Sequence, residues 1–233
     1  MGSKESLLAV IPARGGSKRF PGKNLASLGS RPLIVWSIAS ANASRYINSV
    51  VVSTDDKKIA QVSKDTGAIT PFVRPHNLSL DTSPTTEVVI HTIEMLKKQG
   101  KSYDYVLLLQ PTSPLRTAKH IDQAFEYLRS NNGDGVIGVT KVDHPIEWSN
   151  VLPENMAMDQ FFSSGCKSVR SQDLPERYRI NGAIYIADVK RFMDEKTFFF
   201  SSNIFAFLMD KDVSIDIDTP LDLKIAEVFL SDS

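Results

Sequence analysis

Residues 13–24 concentrate glycine and positive charge in one short segment. It reads Ala-Arg-Gly-Gly-Ser-Lys-Arg-Phe-Pro-Gly-Lys-Asn, in a chain whose 27 Lys and Arg balance 27 Asp and Glu. Glycine lets backbone amides approach an anion, and arginine and lysine supply charge and hydrogen-bond donors. A solvated basic loop would explain the charges but not why glycines accompany them. We therefore expect this segment to bind a polyphosphate.

The spacing of this segment matches neither common phosphate-binding motif. A Walker A motif has four residues between its glycines and a Ser or Thr after its lysine. Here five residues separate Gly16 from Gly22, and Asn24 follows Lys23. The three-glycine dinucleotide-binding pattern is absent as well. The expected phosphate site therefore belongs to a different class.

Two carboxylates, Asp216 and Asp218, lie near the end of the chain. The apolar run 213–217 predicts a strand, on which residues two apart face the same side. Such a pair beside a polyphosphate supplies the oxygen ligands that Mg²⁺ requires. Asp218 also fits the N-cap of a last helix, because Thr219 and Pro220 follow it. Asp55 and Asp56 fit helix caps in the same way.

Apolar runs alternate with segments of helical period along most of the chain, which predicts an α/β fold with a three-layer, mostly parallel sheet. We expect Ser83 to cap a helix whose first residue is Pro84. Ligands of such sheets bind beyond the carboxyl ends of the strands. The predicted strands are 7–11, 50–52, 69–73, 105–109, 136–139, 183–186 and 213–217.

The alternation breaks between residues 142 and 178. This stretch contains Trp148 and three prolines and shows no clear period. We interpret it as an insertion on a single domain that spans residues 1–233.

Composition excludes several classes of protein. Balanced charge argues against a nucleic-acid binder. No apolar run approaches the roughly 18 residues that a membrane span needs, and no signal peptide is recognisable. A single cysteine, Cys166, excludes a disulfide framework and an all-thiolate metal site. We expect a cytoplasmic protein that binds neither nucleic acid nor membrane.

Seven blocks of sequence resemble, in order, the signature of the CMP-sialic acid synthetases (acylneuraminate cytidylyltransferases). The resemblance implies a Rossmann-like, GT-A-like nucleotidyltransferase fold. It also implies transfer of CMP from CTP to the anomeric hydroxyl of a nonulosonic acid, with release of pyrophosphate and with Mg²⁺ as cofactor. The blocks are residues 11–18, 21–24, 53–55, 74–75, 110–116, 181–186 and 215–219.

Together with the loop chemistry, the resemblance implies a role for each matching residue. The expected metal ligands are Asp216 and Asp218, and Asp216 is alternatively the group that removes the hydroxyl proton. The expected catalytic residues are Arg14, Lys23 and Asp216. The expected CTP-binding residues are Arg14, Gly15, Ser17, Lys18, Lys23, Asn24, Arg74 and Thr85, of which Arg74 and Thr85 contact the base. The expected sugar-binding residues are Gln110, Arg170, Asn181, Tyr185, Phe198 and Phe199.

The resemblance also implies a homodimer, in which the insertion is an arm that reaches the partner's active site and carries Arg170. N-acetylneuraminate is the first expected sugar acid. A legionaminate-like acid is the alternative, because Ile146 follows His144 and Pro145 where some sialate-specific members have lysine. Two rival functions remain open from the residues alone. One is a glycosyltransferase that uses 216–218 as a D-x-D motif, and the other is a catalytically silent nucleotide-binding regulator.

Overall fold

The computed structural model describes residues 5–159, 161 and 170–231. Its main feature is a six-stranded sheet with helices packed on both faces. The strands are β1 (Leu7–Pro12), β2 (Ser27–Leu28), β3 (Arg31–Pro32), β4 (Ile47–Ser53), β5 (Tyr105–Leu108), β6 (Gly135–Lys141), β7 (Tyr178–Asp188) and β8 (Ile204–Leu208). The helices are α1 (Leu33–Asn42), α2 (Lys57–Asp65), α3 (Thr85–Lys98), α4 (Ala118–Ser130), α5 (Val189–Glu195) and α6 (Pro220–Ser231).

Strand order in the main sheet is β4-β1-β5-β7-β6-β8. β7 runs antiparallel to both of its neighbours, whereas β4, β1 and β5 pair in parallel, as do β6 and β8. Short strands β2 and β3 form a separate antiparallel pair. The prediction of a mostly parallel sheet is confirmed.

The three layers follow from the alternation along β1. Leu7, Ala9 and Ile11 belong to a core cluster that includes residues of α1, α2 and α4. Leu8 and Val10 belong to a second cluster with residues of α3 and α5. All five side chains are fully buried, which explains why the strand is apolar throughout rather than alternating.

Two predicted strands were wrong. Residues 69–73 form only one bridge, between Ile69 and Val51. Residues 213–217 form no strand, and the strand at the edge of the sheet beside β6 is instead β8. The Ile217 amide donates instead to the Thr112 carbonyl oxygen at 2.8 Å. The segment is thus tied to the loop after β5 rather than to the edge of the sheet.

The start of α3 also differs from the prediction. Its N-cap is Pro84, which makes no side-chain cap. The Ser83 hydroxyl donates to the Asn77 carbonyl oxygen at 2.9 Å and accepts from the Leu80 amide at 3.1 Å. Ser83 therefore stabilises the turn before the helix and not the helix end.

The insertion at 142–178 is only partly described. Its described residues form 3₁₀ turns at Ile146–Trp148 and Ser171–Asp173 before β7 begins. It exposes Val151 and Met156 to solvent. Cys166 lies outside the described residues. Across the part of the chain that is described, no helix is long and apolar enough to cross a bilayer.

Candidate active site

A cleft of about 360 Å³ opens at the carboxyl edge of β1, β4 and β5. The loop after β1, the segment before α3, the loop after β5 and the segment before α6 form its walls. The cleft therefore joins segments that lie up to two hundred residues apart in sequence. The expected site residues that line it are Arg14, Ser17, Lys23, Asn24, Arg74, Thr85, Gln110, Asp216 and Asp218.

The glycine-rich loop closes on itself and on the start of α2. The Asn24 side-chain amide donates to the Arg14 carbonyl oxygen at 2.9 Å. The Gly15 amide donates to Asp55 Oδ1 at 3.0 Å, and a Cβ at Gly15 would lie 2.8 Å from Asp56 Oδ2. Gly15 therefore permits close packing, and its amide is already used. Gly16 lines the cleft and has open space around it.

Of the two predicted helix caps, only one caps. Asp56 accepts from the amides of Lys58 and Ile59 and begins α2. Asp55 turns the other way, toward the Gly15 amide and Arg74. The prediction of a capping role for Asp55 was therefore wrong.

Two of the loop cations converge on a carboxylate that the sequence analysis did not single out. Arg14 Nη1 lies 2.5 Å from Asp81 Oδ1, and Lys18 Nζ lies 2.9 Å from Asp81 Oδ2. The hydrogen bonds from Lys18 and Arg14 hold the pKa of Asp81 below its usual value. The Lys18 side chain is mostly exposed and is not part of the cleft wall.

The other two loop cations pair with Asp218. Lys23 Nζ donates to Asp218 Oδ1 at 3.0 Å and to the Ile217 carbonyl oxygen at 2.9 Å. Arg19 Nη1 donates to Asp218 Oδ2 at 2.8 Å. The loop after β1 and the segment before α6 are therefore joined by ion pairs across the cleft.

The alternative role of Asp218 as a helix cap is not what the structure has. Thr219 Oγ1 accepts from the Asp222 amide at 3.3 Å, and Asp222 Oδ2 accepts from the Thr219 amide at 2.7 Å. This reciprocal pair is a capping box at the start of α6. The Asp218 carboxylate is left to face the loop cations.

Asp216 opens into the cleft, and among the described residues no cation lies within ion-pair distance of it. Loss of hydration between the cleft walls raises the pKa of Asp216, and the negative charge of Asp218 adds to the rise. A hydrogen bond from the Thr112 side chain partly offsets this. The carboxylate is solvent-accessible but poorly compensated, as expected of a group that binds a cation or accepts a proton.

Arg74 forms a buried wall of the cleft, with 4% of its surface exposed. Nη2 lies 3.7 Å from Asp55 Oδ1, beyond hydrogen-bond distance. Within the described part of the chain, Nε and Nη2 are buried and have no hydrogen-bond partner. Burial lowers the pKa of this guanidinium, and the nearby Asp55 carboxylate opposes the shift. Unused buried donors at a cleft wall favour a ligand that carries acceptor oxygens.

A family model described as Cytidylyltransferase matches residues 8–227. The chain belongs to the cytidylyltransferase family. It is 38% identical over 221 residues to a pseudaminic acid cytidylyltransferase of Campylobacter jejuni, and the match covers 95% of this chain and 94% of that relative. It is 37% identical over 223 residues to a CMP-N,N'-diacetyllegionaminic acid synthase of Legionella pneumophila, with the same coverage.

The fold of this cytidylyltransferase is also found in a solved structure. CMP:2-keto-3-deoxy-manno-octonic acid synthetase complexed with CTP superposes with a TM-score of 0.70 at 20% identity, covering 98% of this chain and 99% of that one. The prediction of an α/β nucleotidyltransferase fold is confirmed. The family match favours nucleotidyl transfer over the glycosyltransferase alternative, which depended on the D-x-D pattern alone.

Not all of the residues expected to bind the sugar acid in this cytidylyltransferase line the cleft. Gln110 lines the cleft. Asn181 is 1% exposed, and its side chain bonds to the Ser214 hydroxyl at 3.0 Å and to the Ala183 amide at 3.1 Å. It therefore supports β7 and does not line the cleft. Arg170 is exposed in the arm and is also outside the cleft wall of its own chain.

The expected sugar-binding residues Tyr185, Phe198 and Phe199 contact one another through their rings but are not part of the cleft wall. Phe198 is 2% exposed and packs 4.5 Å from Phe192, so it belongs to the core. Phe199 is 57% exposed and meets the Tyr185 ring edge-on at 6.4 Å. Burial raises the pKa of Tyr185, and the charge of Asp216 contributes to the rise. Tyr185 therefore lies within electrostatic reach of the carboxylate.

Sequence reasoning missed three residues of this region, namely Asp81, Thr112 and Arg116. Arg116 is fully buried and donates from Nη1 to the Ala183 carbonyl oxygen at 2.8 Å, which holds the loop after β5 against β7. Burial lowers the pKa of Arg116 to about 9. For Thr112 and Arg116 the available signal was their place in the block 110–116, just after the buried strand β5. Asp81 had none, because its partners lie more than sixty residues away.

Proposed function

We propose that the chain transfers CMP from CTP to the anomeric hydroxyl of a nonulosonic acid and releases pyrophosphate. The observation that carries the proposal is the cleft itself, where the cations of the glycine-rich loop face Asp216 and Asp218 in a cytidylyltransferase chain. Charge of both signs in one cleft suits a triphosphate and the cation that accompanies it.

The loop after β1 is the proposed triphosphate site. Arg14, Lys18 and Lys23 supply positive charge, and Gly16 and Ser17 present backbone at the cleft wall. The Gly15 amide is bonded to Asp55, so Gly15 contributes by shaping the loop rather than by contacting phosphate. Positive charge here stabilises the negative charge that develops on the departing pyrophosphate.

The cytosine base is proposed to lie against Arg74. Its Nε and Nη2, which have no hydrogen-bond partner among the described residues, are donors that suit the carbonyl oxygen of a pyrimidine. Thr85, at the start of α3, lines the same wall and offers a hydroxyl to the base edge.

The residues present fit a magnesium ion. Of the three carboxylates that line the cleft, Asp81 is paired with Arg14 and Lys18, which leaves Asp216 and Asp218 as the candidate ligands. Mg²⁺ is commonly held by one or two carboxylates together with substrate phosphates. Asp216 lacks a compensating cation among the described residues, as the raised pKa of Asp216 also indicates. Asp216 and Asp218 would hold the ion, which when bound would neutralise charge on the triphosphate.

The proposed chemistry is an in-line displacement at the α-phosphorus. The anomeric oxygen forms the new bond to phosphorus, the bond from phosphorus to the β-bridging oxygen breaks, and pyrophosphate leaves with the electron pair. The hydroxyl proton is accepted at an Asp216 carboxylate oxygen. Gln110 lines the cleft and is proposed to position the sugar acid together with the Tyr185 and Phe199 rings, which contact each other outside the cleft wall.

We further propose that the sugar acid is of the pseudaminic or legionaminic type rather than N-acetylneuraminate. Support comes from the two relatives, which share 38% and 37% identity over nearly the whole chain and are named for those acids. The exposed ring of Phe199 suits apolar methyl groups such as those of a diacetylated acid.

Pyrophosphate release tests both the proposed nucleotide and the proposed sugar acid. With CTP and Mg²⁺, we expect release with pseudaminate or N,N'-diacetyllegionaminate to exceed that with N-acetylneuraminate by at least about tenfold in kcat/KM, a difference of about 1.4 kcal/mol. UTP, ATP and GTP should be poor donors. Arg74→Gln should reduce the ratio of pyrophosphate release with CTP to that with the other three nucleotides. Equal release from CTP and ATP would contradict the nucleotide assignment. Equal release with N-acetylneuraminate would contradict only the choice of acid.

A further inference from the structure

Asp81 lies at the tip of a tight turn, residues 80–83, that forms one wall of the cleft. The Ser83 amide donates to the Leu80 carbonyl oxygen at 3.1 Å, and the Ser83 hydroxyl ties the turn to Asn77 at 2.9 Å. These bonds lie within the segment before α3. The turn is therefore locally stable whatever occupies the cleft.

Asp81 joins this turn to the glycine-rich loop through two ion pairs. The two Asp81 oxygens divide between Arg14 at 2.5 Å and Lys18 at 2.9 Å. Among the described residues, no backbone hydrogen bond joins the turn to residues 13–24. The carboxylate thus bridges the two walls through the cations alone.

Arg14 and Lys18 are the cations that the proposed function assigns to the triphosphate. A carboxylate and a phosphate compete for the same donors of a guanidinium or an ammonium group. Like charges brought together over those donors repel each other. A bound triphosphate therefore has to take Arg14 and Lys18 from Asp81.

We propose that Asp81 is a positioning residue that holds Arg14 and Lys18 before nucleotide binds and is exchanged for the triphosphate when it does. The inference rests on the proposed function, because it takes the same two cations to be the phosphate site. In this arrangement Asp81 keeps the loop cations aligned at the expense of nucleotide affinity. The ion pairs of Asp81 with Arg14 and Lys18 form again when pyrophosphate leaves.

The test uses inorganic tripolyphosphate, titrated calorimetrically in EDTA, so that metal, base and sugar acid play no part. Asp81→Asn keeps the shape and removes the competing charge. Two partly exposed ion pairs, each of the usual modest strength, correspond to about a fivefold lower Kd for the variant. Asp65→Asn is the matched control, because Asp65 is an exposed carboxylate on α2 that bonds to Gln61. It changes net charge equally and should leave Kd unchanged.

A double substitution shows whether the effect runs through the cations. In a Lys18→Gln background, Asp81→Asn should improve binding by a smaller factor than in the wild type. In turnover with CTP, Asp81→Asn should lower KM for CTP while kcat stays level or falls, because pyrophosphate release is no longer assisted. A residue that only stabilised the turn would change the melting temperature and not this ratio.

Each outcome decides the matter. If Asp81→Asn melts at the wild-type temperature but its Kd for tripolyphosphate is unchanged or higher, the proposed exchange is wrong. An unchanged Kd would mean that Asp81 does not affect phosphate binding, and a higher Kd would mean that it helps to form the phosphate site. Tighter tripolyphosphate binding by Asp81→Asn than by Asp65→Asn supports the exchange. If neither the wild type nor Asp81→Asn binds tripolyphosphate, the polyphosphate site itself is wrong and both proposals fall. Binding by wild type with no gain in the variant contradicts the exchange alone.

Discussion

The Asp216 carboxylate is accessible to solvent, but the cleft walls around it remove part of its hydration. The cleft walls raise the pKa of Asp216, and the nearby Asp218 charge contributes. Above the pH at which an ordinary aspartate ionises, the folded state then binds more protons at this position than the unfolded state. The free energy of unfolding therefore falls as pH rises through this window. Function at this residue is expected to cost stability, as at many active sites.

Asp216→Asn separates these two effects. In EDTA at neutral pH, we expect the variant to melt slightly higher than the wild type, since it no longer carries a charge in the cleft. In a chain of this size, 1 kcal/mol of stability raises the melting temperature by about 2–4 °C. We expect a smaller rise here, because solvent screens the Asp216 charge. Turnover should fall by about a hundredfold or more. Calorimetric melts from pH 4 to 8 beside pyrophosphate assays measure both.

The comparison that matters is the pH dependence. The difference in melting temperature between wild type and Asp216→Asn should be small near pH 4, where an unfolded aspartate begins to ionise, and should grow as pH rises. A constant difference would show that shape rather than charge distinguishes the two proteins. Normal turnover would remove Asp216 from the mechanism.

At the scale of elements, the junction between the glycine-rich loop and α2 depends on Gly15. A Cβ there would lie 2.8 Å from Asp56 Oδ2 and 2.9 Å from Asp56 Cβ, and Asp56 is the N-cap of α2. The chain cannot relieve the second contact by rotating the side chain. The loop or the helix has to move.

Gly15→Ala is expected to destabilise the fold by about 1–3 kcal/mol, through overpacking and damage to the cap. Gly16→Ala is its neighbour and control, because nothing lies within 4 Å of a Cβ at that position. It should change the free energy of unfolding by less than about 0.5 kcal/mol. Urea denaturation measures both, and equal stabilities would contradict the packing role given to Gly15.

Sequence patterns predicted most elements because local periodicity and burial agree there. Strand β1 is apolar at every buried position, and α4 carries Ile121, Phe125 and Leu128 on its buried side. The predicted strand at 213–217 was wrong because this apolar run finds no strand to pair with and is tied to the loop after β5 instead. Pairing with a neighbouring strand decides whether such a run forms a strand, and no local pattern encodes it.

The site divides along the same line. The loop cations and the two carboxylates were found from residue type and spacing, and the structure brings Lys23 and Asp218 within 3.0 Å. The contact of Asp81 with Arg14 spans sixty-seven positions and depends on the fold alone. Asn181 matched the family pattern, but its side chain is buried and donates to the Ser214 hydroxyl rather than lining the cleft.

At the scale of the whole molecule, β6, β7 and β8 carry a row of apolar side chains that is partly exposed among the described residues. Val139 pairs in register with Ile180 on β7 and Leu208 on β8, so the three side chains share one face. Ile180 is 46% exposed and Leu208 is 60% exposed. The arm adjoining this row exposes Val151 as well. Exposed apolar surface of this kind is typical of a protein interface.

We therefore predict that the chain is a homodimer and that Ile180→Lys dissociates it. Light scattering should give about twice 25.9 kDa for the wild type and about half that value for the variant. Leu221→Lys is the control, because Leu221 is also an exposed apolar side chain (65% against 46% for Ile180) but lies on α6. A wild-type protein that is monomeric at micromolar concentration would refute the prediction, as would dissociation by the control.

The central claim is that this cleft transfers a cytidylyl group, and phosphorus NMR of one reaction tests it most directly. The protein is incubated with CTP, Mg²⁺ and a mixture of pseudaminate and N,N'-diacetyllegionaminate. The account predicts that the three CTP resonances give way to pyrophosphate and a single phosphodiester resonance of equal molar amount. It also predicts that Asp216→Asn leaves CTP intact. CMP without a phosphodiester, CDP with inorganic phosphate, or unchanged CTP with the wild-type protein would contradict the account.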